Sequence, residues 1–314
     1  MTSTRHSSPQ VWPPLPLDAW ADTHATLHRW TQIVGKIRVA QGPWQNHSWH
    51  STLYLTARGV STLPIPHGLR MFQIDFDFLD HRLIVQASDG AVGGFPLQAE
   101  SVAVFYRRLM EELTRLGLSV KISKRPNEVP DPVPFDQDEA HASYDPEYAN
   151  RFWRVLVQSD RVFREFRSRF IGKCSPVHLF WGAMDLAVTR FSGRAAPAHP
   201  GGIPNLPDRV TREAYSHEVS SCGFWPGTAP IDYPAFYAYA YPEPTGFGDA
   251  KVRPDGAFYS SDFREFVLPY DRVRESKTPD DTLLQFLQST YEAAANLAKW
   301  DRAALERGSL ATKP

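Results

Sequence analysis

Helical and strand-like hydrophobic patterns follow one another in the same order in each half of the chain, and this repetition constrains the fold most. In the first half, a helical pattern at residues 20–39 precedes strand-like segments at residues 50–60, 71–78 and 83–85. In the middle segment, phenylalanine and isoleucine alternate with glutamine and aspartate, which is typical of a strand with one buried face. A second amphipathic pattern at residues 102–116 completes a predicted unit of helix, three strands and helix.

The second half has the same predicted order of elements. Asp145-Pro146-Glu147 is a strong helix start, because aspartate caps the helix, proline suits its first position and glutamate favours the positive end of the helix dipole. Helices are predicted at residues 146–170 and 278–307. The strand-like segments between them are residues 176–191, 213–221, 234–241 and 263–268. The sequence therefore predicts an α+β fold with mainly antiparallel sheets and helices packed on one face.

Two similar halves joined by a linker are the predicted domain organisation. The first α+β half spans residues 18–123 and the second spans residues 144–307. Residues 124–143 between them are rich in proline and acidic side chains, which is typical of a linker. An irregular lead-in at residues 1–17 and a tail at residues 308–314 complete the chain.

Internal duplication is one explanation of the repeated order, and binary patterning at matched periods is the other. When His50 is aligned with His178, Val60 falls on Val188, but few identities accompany this match. If the duplication is real, the halves are expected to pack about a pseudo-twofold axis with a ligand cleft between them.

Composition and charge exclude several classes of partner. The 314 residues carry a formal net charge of -1, so they provide no basic field for nucleic acid. No apolar run approaches the roughly 18–20 residues that a membrane span needs, and the N-terminus lacks the apolar core of a secretory signal. Two cysteines do not form a disulfide framework, so a cytoplasmic location is predicted, while the oligomeric state stays open.

The leading candidate site is the segment at residues 215–227, which combines a base, a carboxylate, hydroxyls and a thiol before a Gly/Pro turn. His217, Glu218 and Cys222 are the predicted catalytic side chains in it. Strand alternation places His217 and Glu218 on opposite faces, so activation of a Cys222 nucleophile by His217 would require a bulge. The alternative is a strand with one polar face, in which Cys222 is an inert core thiol.

A second candidate catalytic residue is His178, within the aromatic segment Ser175–Gly182. If its strand neighbours that of His217, the two histidines with Glu218 or Asp185 would form a two-histidine, one-carboxylate site for a divalent metal. The alternative is a core histidine with structural hydrogen bonds. The sequence contains no close-spaced metal motif and no nucleotide-binding motif, so the cofactor stays undetermined.

Aromatic residues suggest the wall of a ligand pocket. Alternation in residues 236–241 places Tyr237 and Tyr239 on one face, where they would suit an aromatic or cationic ligand or pack under a helix. Trp181 and Trp225 are predicted to extend this wall. Arg190 is predicted to hold a substrate carboxylate.

Three segments, HASYDPEY at residues 141–148, KCSPVH with FWG at residues 173–182, and SSCGFWPG at residues 220–227, resemble a bacterial family of unknown function. The resemblance spans nearly the whole chain and implies one continuous unit in a bacterial cytoplasm. It implies no reaction, cofactor or catalytic residue.

These observations predict a small-molecule enzyme that uses histidine and glutamate for acid–base or metal-assisted chemistry in an aromatic-lined pocket. The alternative, from a different class, is a non-catalytic ligand-binding or scaffold protein with structural histidines. A redox role for Cys222 is a third hypothesis.

Overall fold

The computed structural model describes residues 10–203, 205–228 and 230–308. Within these residues it has an α+β fold whose strands pair antiparallel throughout. The strands are β1 Thr52–Leu55, β2 Gly59–Ser61, β3 Ile65–His67, β4 Arg70–Asp77, β5 Arg82–Ala87, β6 Val92–Pro96, β7 His178–Phe180, β8 Asp185–Ala195, β9 His217–Trp225, β10 Ala235–Tyr241, β11 Phe258–Ser260 and β12 Glu265–Pro269.

The helices are α1 Ala21–Gln41, α2 Val102–Arg115, α3 Pro146–Ser168, α4 Asp208–Ala214, α5 Tyr270–Arg274, α6 Pro279–Leu297 and α7 Arg302–Leu305. The four long helices begin where the sequence signals predict, but the helix predicted at residues 278–307 ends at Leu297, and two short helices, α4 and α5, were not predicted. The Asp145 side chain accepts hydrogen bonds from the backbone amides of Glu147 and Tyr148, which confirms the predicted cap of α3. Gly117 follows α2 with a φ of +67°, the left-handed conformation that ends many helices. None of the described helices is long and apolar enough to cross a membrane.

One continuous sheet joins the two halves. Its strand order is β11-β12-β10-β9-β8-β7-β1-β2-β4-β5-β6, with β3 paired to β4. The halves meet where β1 pairs with β7, with Thr52 opposite Phe180 and Leu53 opposite Leu179. They therefore meet edge to edge at the centre of the sheet. The duplication stays a prediction, because the shared order of elements does not establish it.

The two faces of the sheet differ in what covers them. On the helix face of the second half, Leu186, Phe224 and Phe236 are buried in the core, and the Phe236 ring lies 6.3 Å from that of Phe163 in α3. On the opposite face, Tyr239 receives a hydrogen bond from Tyr215, which follows α4. We call this the polar face of the second half. It is partly covered by α4 and by the 3-10 helix Asn46–Ser51, which contact each other.

Several strand predictions are wrong in detail. Residues 50–60 form the end of the 3-10 helix and two short strands, and residues 176–191 are divided by a turn at residues 181–184. Residues 213–214 end α4 instead of starting a strand. Of the predicted irregular ends, residues 1–9 and 309–314 lie outside the described residues.

Candidate functional site

His178 is buried without hydrogen-bond partners. Its side chain is on the polar face, is 1% exposed, and lies 4.7 Å from the Phe180 ring between ring centroids. Within the described residues, neither of its ring nitrogens has a hydrogen-bond partner. Burial, together with the charge of Arg38, lowers the pKa of His178 to about 3. The imidazole is therefore neutral at physiological pH.

His217 and Glu218 point away from each other, as alternation predicts. The His217 Nδ1 atom lies 3.1 Å from Ser216 Oγ, and its ring centroid is 5.7 Å from that of His47. Glu218 Oε2 instead accepts a 2.6 Å hydrogen bond from Arg194. Glu218 is therefore engaged in an ion pair.

The register of the sheet separates the two predicted histidines. Strand β8 lies between β7 and β9, with Ala187 opposite His178 and Ala195 opposite His217. The two imidazole rings are separated by the rings of Trp49 and His47, with successive centroid distances of 6.3, 5.3 and 5.7 Å from His178 to His217. The structure therefore does not bring the predicted ligands His178, His217 and Glu218 together. Within residues 10–203, 205–228 and 230–308, no three His, Cys, Asp or Glu side chains converge on a metal position.

Cys222 is a core residue of the helix face. It is 3% exposed, and its thiol lies 3.7 Å from the carbonyl oxygen of Val188. Burial raises the pKa of the Cys222 thiol far above its ordinary range, which suppresses the reactive thiolate. This geometry favours the interpretation of Cys222 as an inert core thiol over that of a nucleophile or redox centre.

Arg190 is enclosed by aromatic rings on the helix face. Its guanidinium carbon lies 3.4 Å from the ring centroid of Phe166 and 4.3 Å from that of Tyr291, and it donates a hydrogen bond to the Phe166 carbonyl. Burial lowers the pKa of Arg190 to about 10. Because the side chain is 1% exposed, it is not placed to hold a substrate carboxylate.

The two predicted tryptophans lie apart. Trp181 is 9% exposed and packs against Gly35 of α1, where a Cβ atom would lie 2.2 Å from the indole ring. Trp225 is partly exposed at the end of β9, two residues along the strand from Gly223, which pairs with Tyr237. Trp225 therefore shares the polar face with Tyr237, whereas Trp181 fixes the turn before β8 on α1.

Tyr237 and Tyr239 share the polar face, as predicted, and they lie among carboxylates. The Tyr237 hydroxyl donates a hydrogen bond to Asp185, and the Tyr215 hydroxyl donates one of 3.0 Å to Tyr239. The carboxylates of Glu128 and Glu265 are close enough to Asp185 for its charge to affect them. We call the six residues the carboxylate–phenol cluster: Asp185, Glu128, Glu265, Tyr215, Tyr237 and Tyr239.

The carboxylates of the cluster titrate close to neutrality. Burial raises the pKa of Asp185 to about 6, against the opposing effect of the hydrogen bond from Tyr237. Burial and the charge of Asp185 raise the pKa values of Glu128 and Glu265 to about 7 each. Burial also raises the pKa of Tyr215 to about 12, so its phenol stays protonated. The cluster therefore holds both proton acceptors and proton donors at neutral pH.

Two glycines give the cluster the space it needs. A Cβ atom on Gly182 would lie 1.9 Å from Glu128 Oε1, so only glycine allows the carboxylate to approach the turn before β8. A Cβ atom on Gly223 would lie 2.4 Å from the Tyr237 hydroxyl oxygen. Glu128 is exposed as a residue, but this close contact with Gly182 directs its carboxylate inward.

Each carboxylate of the cluster lies at a left-handed backbone position or directly after one. Glu128 itself has a φ of 54°, Met184 before Asp185 has 55°, and Arg264 before Glu265 has 58°. Positive φ is uncommon for residues other than glycine, and such strain concentrates at functional sites. Both Asp185 and Glu265 begin a strand directly after a four-residue turn.

A polar row on α1 positions the cluster from behind. Gln32 is fully buried, and its amide exchanges two 2.8 Å hydrogen bonds with the backbone of Asn127, next to Glu128. One turn earlier, His28 Nε2 donates a 2.7 Å hydrogen bond to the carbonyl of Gly182. The linker predicted at residues 124–143 is thus tied to α1, and it supplies a carboxylate to the cluster.

Sequence reasoning missed Glu128 and Glu265 and treated Asp185 only as an alternative metal ligand. One signal was available, because Asp185 and Glu265 each follow a short polar or glycine-containing turn before an apolar strand. Glu128 carried no local signal, because its role depends on the contact between α1 and a segment about 95 residues away.

Comparisons with known proteins are consistent with one continuous unit. No match was found among curated proteins or solved structures. One family model, described as "Family of unknown function (DUF5996)", matches residues 12–307. Because this match covers nearly the full length and all three resembling segments, the chain belongs to that family of unknown function.

Proposed function

We propose that the protein is a small-molecule enzyme that carries out acid–base chemistry at the carboxylate–phenol cluster. One observation carries the proposal: Asp185 and Glu265 lie in the same cluster, and their pKa values of about 6 and 7 are both within about one unit of neutral pH. Groups poised near the operating pH are the most efficient proton carriers, and they occur mainly at functional sites.

The proposal gives the members of the cluster separate roles. Asp185 is mostly ionised at neutral pH and accepts a proton, while the hydroxyl of Tyr237 holds the carboxylate in one orientation. Glu265 is about half protonated near pH 7 and returns a proton to the product. The rings of Tyr237 and Tyr239, whose centroids lie 6.1 Å apart, form the wall beside the reacting groups.

Loss of turnover in the Asp185→Asn variant tests this proposal. Purified protein is incubated with a metabolite extract, and mass spectrometry identifies compounds that it consumes. Asp185→Asn is expected to lower that consumption by about 100-fold or more, because general acid–base catalysis typically contributes 10²–10⁴-fold. Asp271→Asn, at an exposed position on α5, is the matched control. Equal consumption by the two variants, or none by the wild-type protein, would contradict the proposal.

A non-catalytic binding protein is the second candidate. The three carboxylates favour it, because they form no ion pair with a described Lys, Arg or His side chain. They would suit a cation that is only bound as well as a cationic substrate that reacts. We also propose a cytoplasmic location, which the two free cysteines suit.

A further inference from the structure

The charge balance of the carboxylate–phenol cluster is incomplete. Asp185, Glu128 and Glu265 come from three separate parts of the chain. Within the described residues, no Lys, Arg or His side chain makes an ion pair or hydrogen bond with any of them, and the Tyr237 hydroxyl is the only side-chain donor to Asp185. The three carboxylates therefore have no positively charged partner among the described side chains.

His178 provides a second, independent indication of a ligand. It is 99% buried on the same face of the sheet, and its ring packs on Phe180, the residue directly opposite Asp185 in the β7–β8 register. Diagonal neighbours on one sheet face lie within about 7–8 Å. Neither nitrogen of His178 has a hydrogen-bond partner in the described part of the chain, so the neutral ring keeps an unused acceptor on the sheet face that carries Asp185.

The aromatic groups around the cluster suit an organic cation. The Tyr237 and Tyr239 rings lie nearly parallel, at 16°, and both side chains stay partly exposed. Phenol rings attract ammonium and guanidinium groups through their negative faces. A carboxylate at one end of the row and phenols along it would therefore contact both the charge and the hydrocarbon part of such a ligand.

We infer that the ligand of this cluster is a small organic amine bound as its ammonium ion, with its charge on Asp185, one N–H donated to His178 and its carbon chain on Tyr237 and Tyr239. The inference rests on the proposed function for the location of the site and adds its substrate class. Glu128 and Glu265 complete the negative surroundings of the ammonium group.

Calorimetric titration with n-butylammonium chloride tests the inference, with n-butanol and sodium butyrate as neutral and anionic probes of the same length. Saturable binding is expected for the ammonium probe alone. Binding should be at least 10-fold tighter at pH 8 than at pH 5, because the carboxylates must be ionised to attract it. Near pH 6.5, binding should release protons, seen as a dependence of the measured heat on the buffer.

Variants identify the groups that hold the probe. Asp185→Asn, Tyr239→Leu and His178→Phe are each expected to weaken n-butylammonium binding at least 10-fold, while Asp271→Asn leaves it unchanged. A thermal melt of each variant reports whether it is folded. If His178→Phe does not fold, the comparison of Asp185→Asn with Asp271→Asn alone tests the inference. Binding no tighter than that of n-butanol, or equal binding by Asp185→Asn and Asp271→Asn, would overturn the inference.

The two proposals fail in distinguishable ways. Consumption of a neutral or anionic metabolite, lost in Asp185→Asn, would uphold the acid–base function and overturn the amine inference. Specific n-butylammonium binding by a protein that consumes no metabolite would uphold the amine inference and overturn the acid–base function. The protein would then be a binding protein.

Discussion

His178 and Asp185 lie on one face of the sheet, and burial changes their pKa values in opposite directions. Each residue is forced towards its neutral form, since burial disfavours charge of either sign. Both therefore reduce the stability of the fold at some pH. An unpartnered buried histidine and enclosed carboxylates without cations are costs that a purely structural sheet face would not need.

The Asp185→Asn variant should gain stability relative to the wild type as pH rises. The pKa of Asp185 is about 6 in the folded protein, above its unfolded value near 4, so its contribution is fully present below pH 4 and lost as pH rises through 6. Two pH units correspond to about 3 kcal/mol, which partial exposure reduces to about 1–2 kcal/mol. Urea unfolding at pH 4.5 and pH 8 measures this difference.

The exposed Asp271→Asn variant is the control for that experiment, because it makes the same chemical change at an exposed side chain outside the cluster. A difference between Asp185→Asn and wild type that stays constant from pH 4.5 to pH 8 would show that Asp185 is not perturbed.

Gly182→Ala should displace Glu128 while leaving the fold intact. The new Cβ atom would lie 1.9 Å from Glu128 Oε1, the end of a flexible side chain that can move away. We expect a small stability loss, of about 1 kcal/mol or less, and at least 3-fold weaker n-butylammonium binding. Gly308→Ala, where no atom lies within 4 Å of the new Cβ, is the control. Unchanged n-butylammonium binding by Gly182→Ala would show that Glu128 does not contribute to the site.

At the residue scale, the sequence predicts which face of a strand a side chain occupies better than it predicts what that side chain contacts. Alternation was enough to place Tyr237 and Tyr239 on one face and to separate His217 from Glu218. Arg190 was instead predicted to hold a substrate carboxylate, because a strand pattern does not show that Phe166 and Tyr291 enclose its guanidinium group from two helices. Contacts between distant segments decide such roles.

At the scale of elements, helices were predicted better than strands. Capping residues and long apolar stripes are local signals, so α1, α2, α3 and α6 begin within one or two residues of their predicted starts. Short strands divided by turns have no such signals, and β3, β6 and β11, each three to five residues long, were missed. The first residues of β8 and β12 carry two of the carboxylates, so without the turns before them the sequence did not reveal this part of the proposed site.

Helix α1 is the element that positions the cluster, and Gln32→Leu tests this role. The change removes both hydrogen bonds to the Asn127 backbone and leaves its amide and carbonyl unpaired, which should cost about 2–3 kcal/mol of unfolding free energy. n-Butylammonium binding should weaken because Glu128 loses its support. Gln158→Leu on α3 is the control, since within the described residues the Gln158 side chain hydrogen-bonds only with the exposed Arg161. A loss of stability with unchanged n-butylammonium binding would show that α1 does not position the cluster.

At the scale of the whole molecule, the two halves share one sheet. The β1–β7 junction and the contact of α1 with the segment at residues 124–130 cross the predicted domain boundary. Sequence patterns predict the order of elements within each half. They do not predict which edge strands of the two halves pair, because hydrophobic periodicity carries no information on strand partners. The predicted two-domain organisation and the duplication both stay predictions.

The shared sheet predicts that both halves unfold together. Hydrogen exchange in increasing urea, followed by mass spectrometry, should show β4–β5 and β9–β10 losing protection at the same urea concentration, because each half supports an edge of the other. Loss of protection in one half at a urea concentration clearly below that for the other half would show that the halves are independent domains.

The most direct test of the account is a carbon-13 NMR titration of the Asp185 carboxyl group, assigned by comparison with Asp185→Asn, with and without n-butylammonium. The account predicts a pKa of about 6 in the free protein and a lower pKa when the ammonium probe is bound. An Asp185 pKa near 4 that the probe does not change would contradict it.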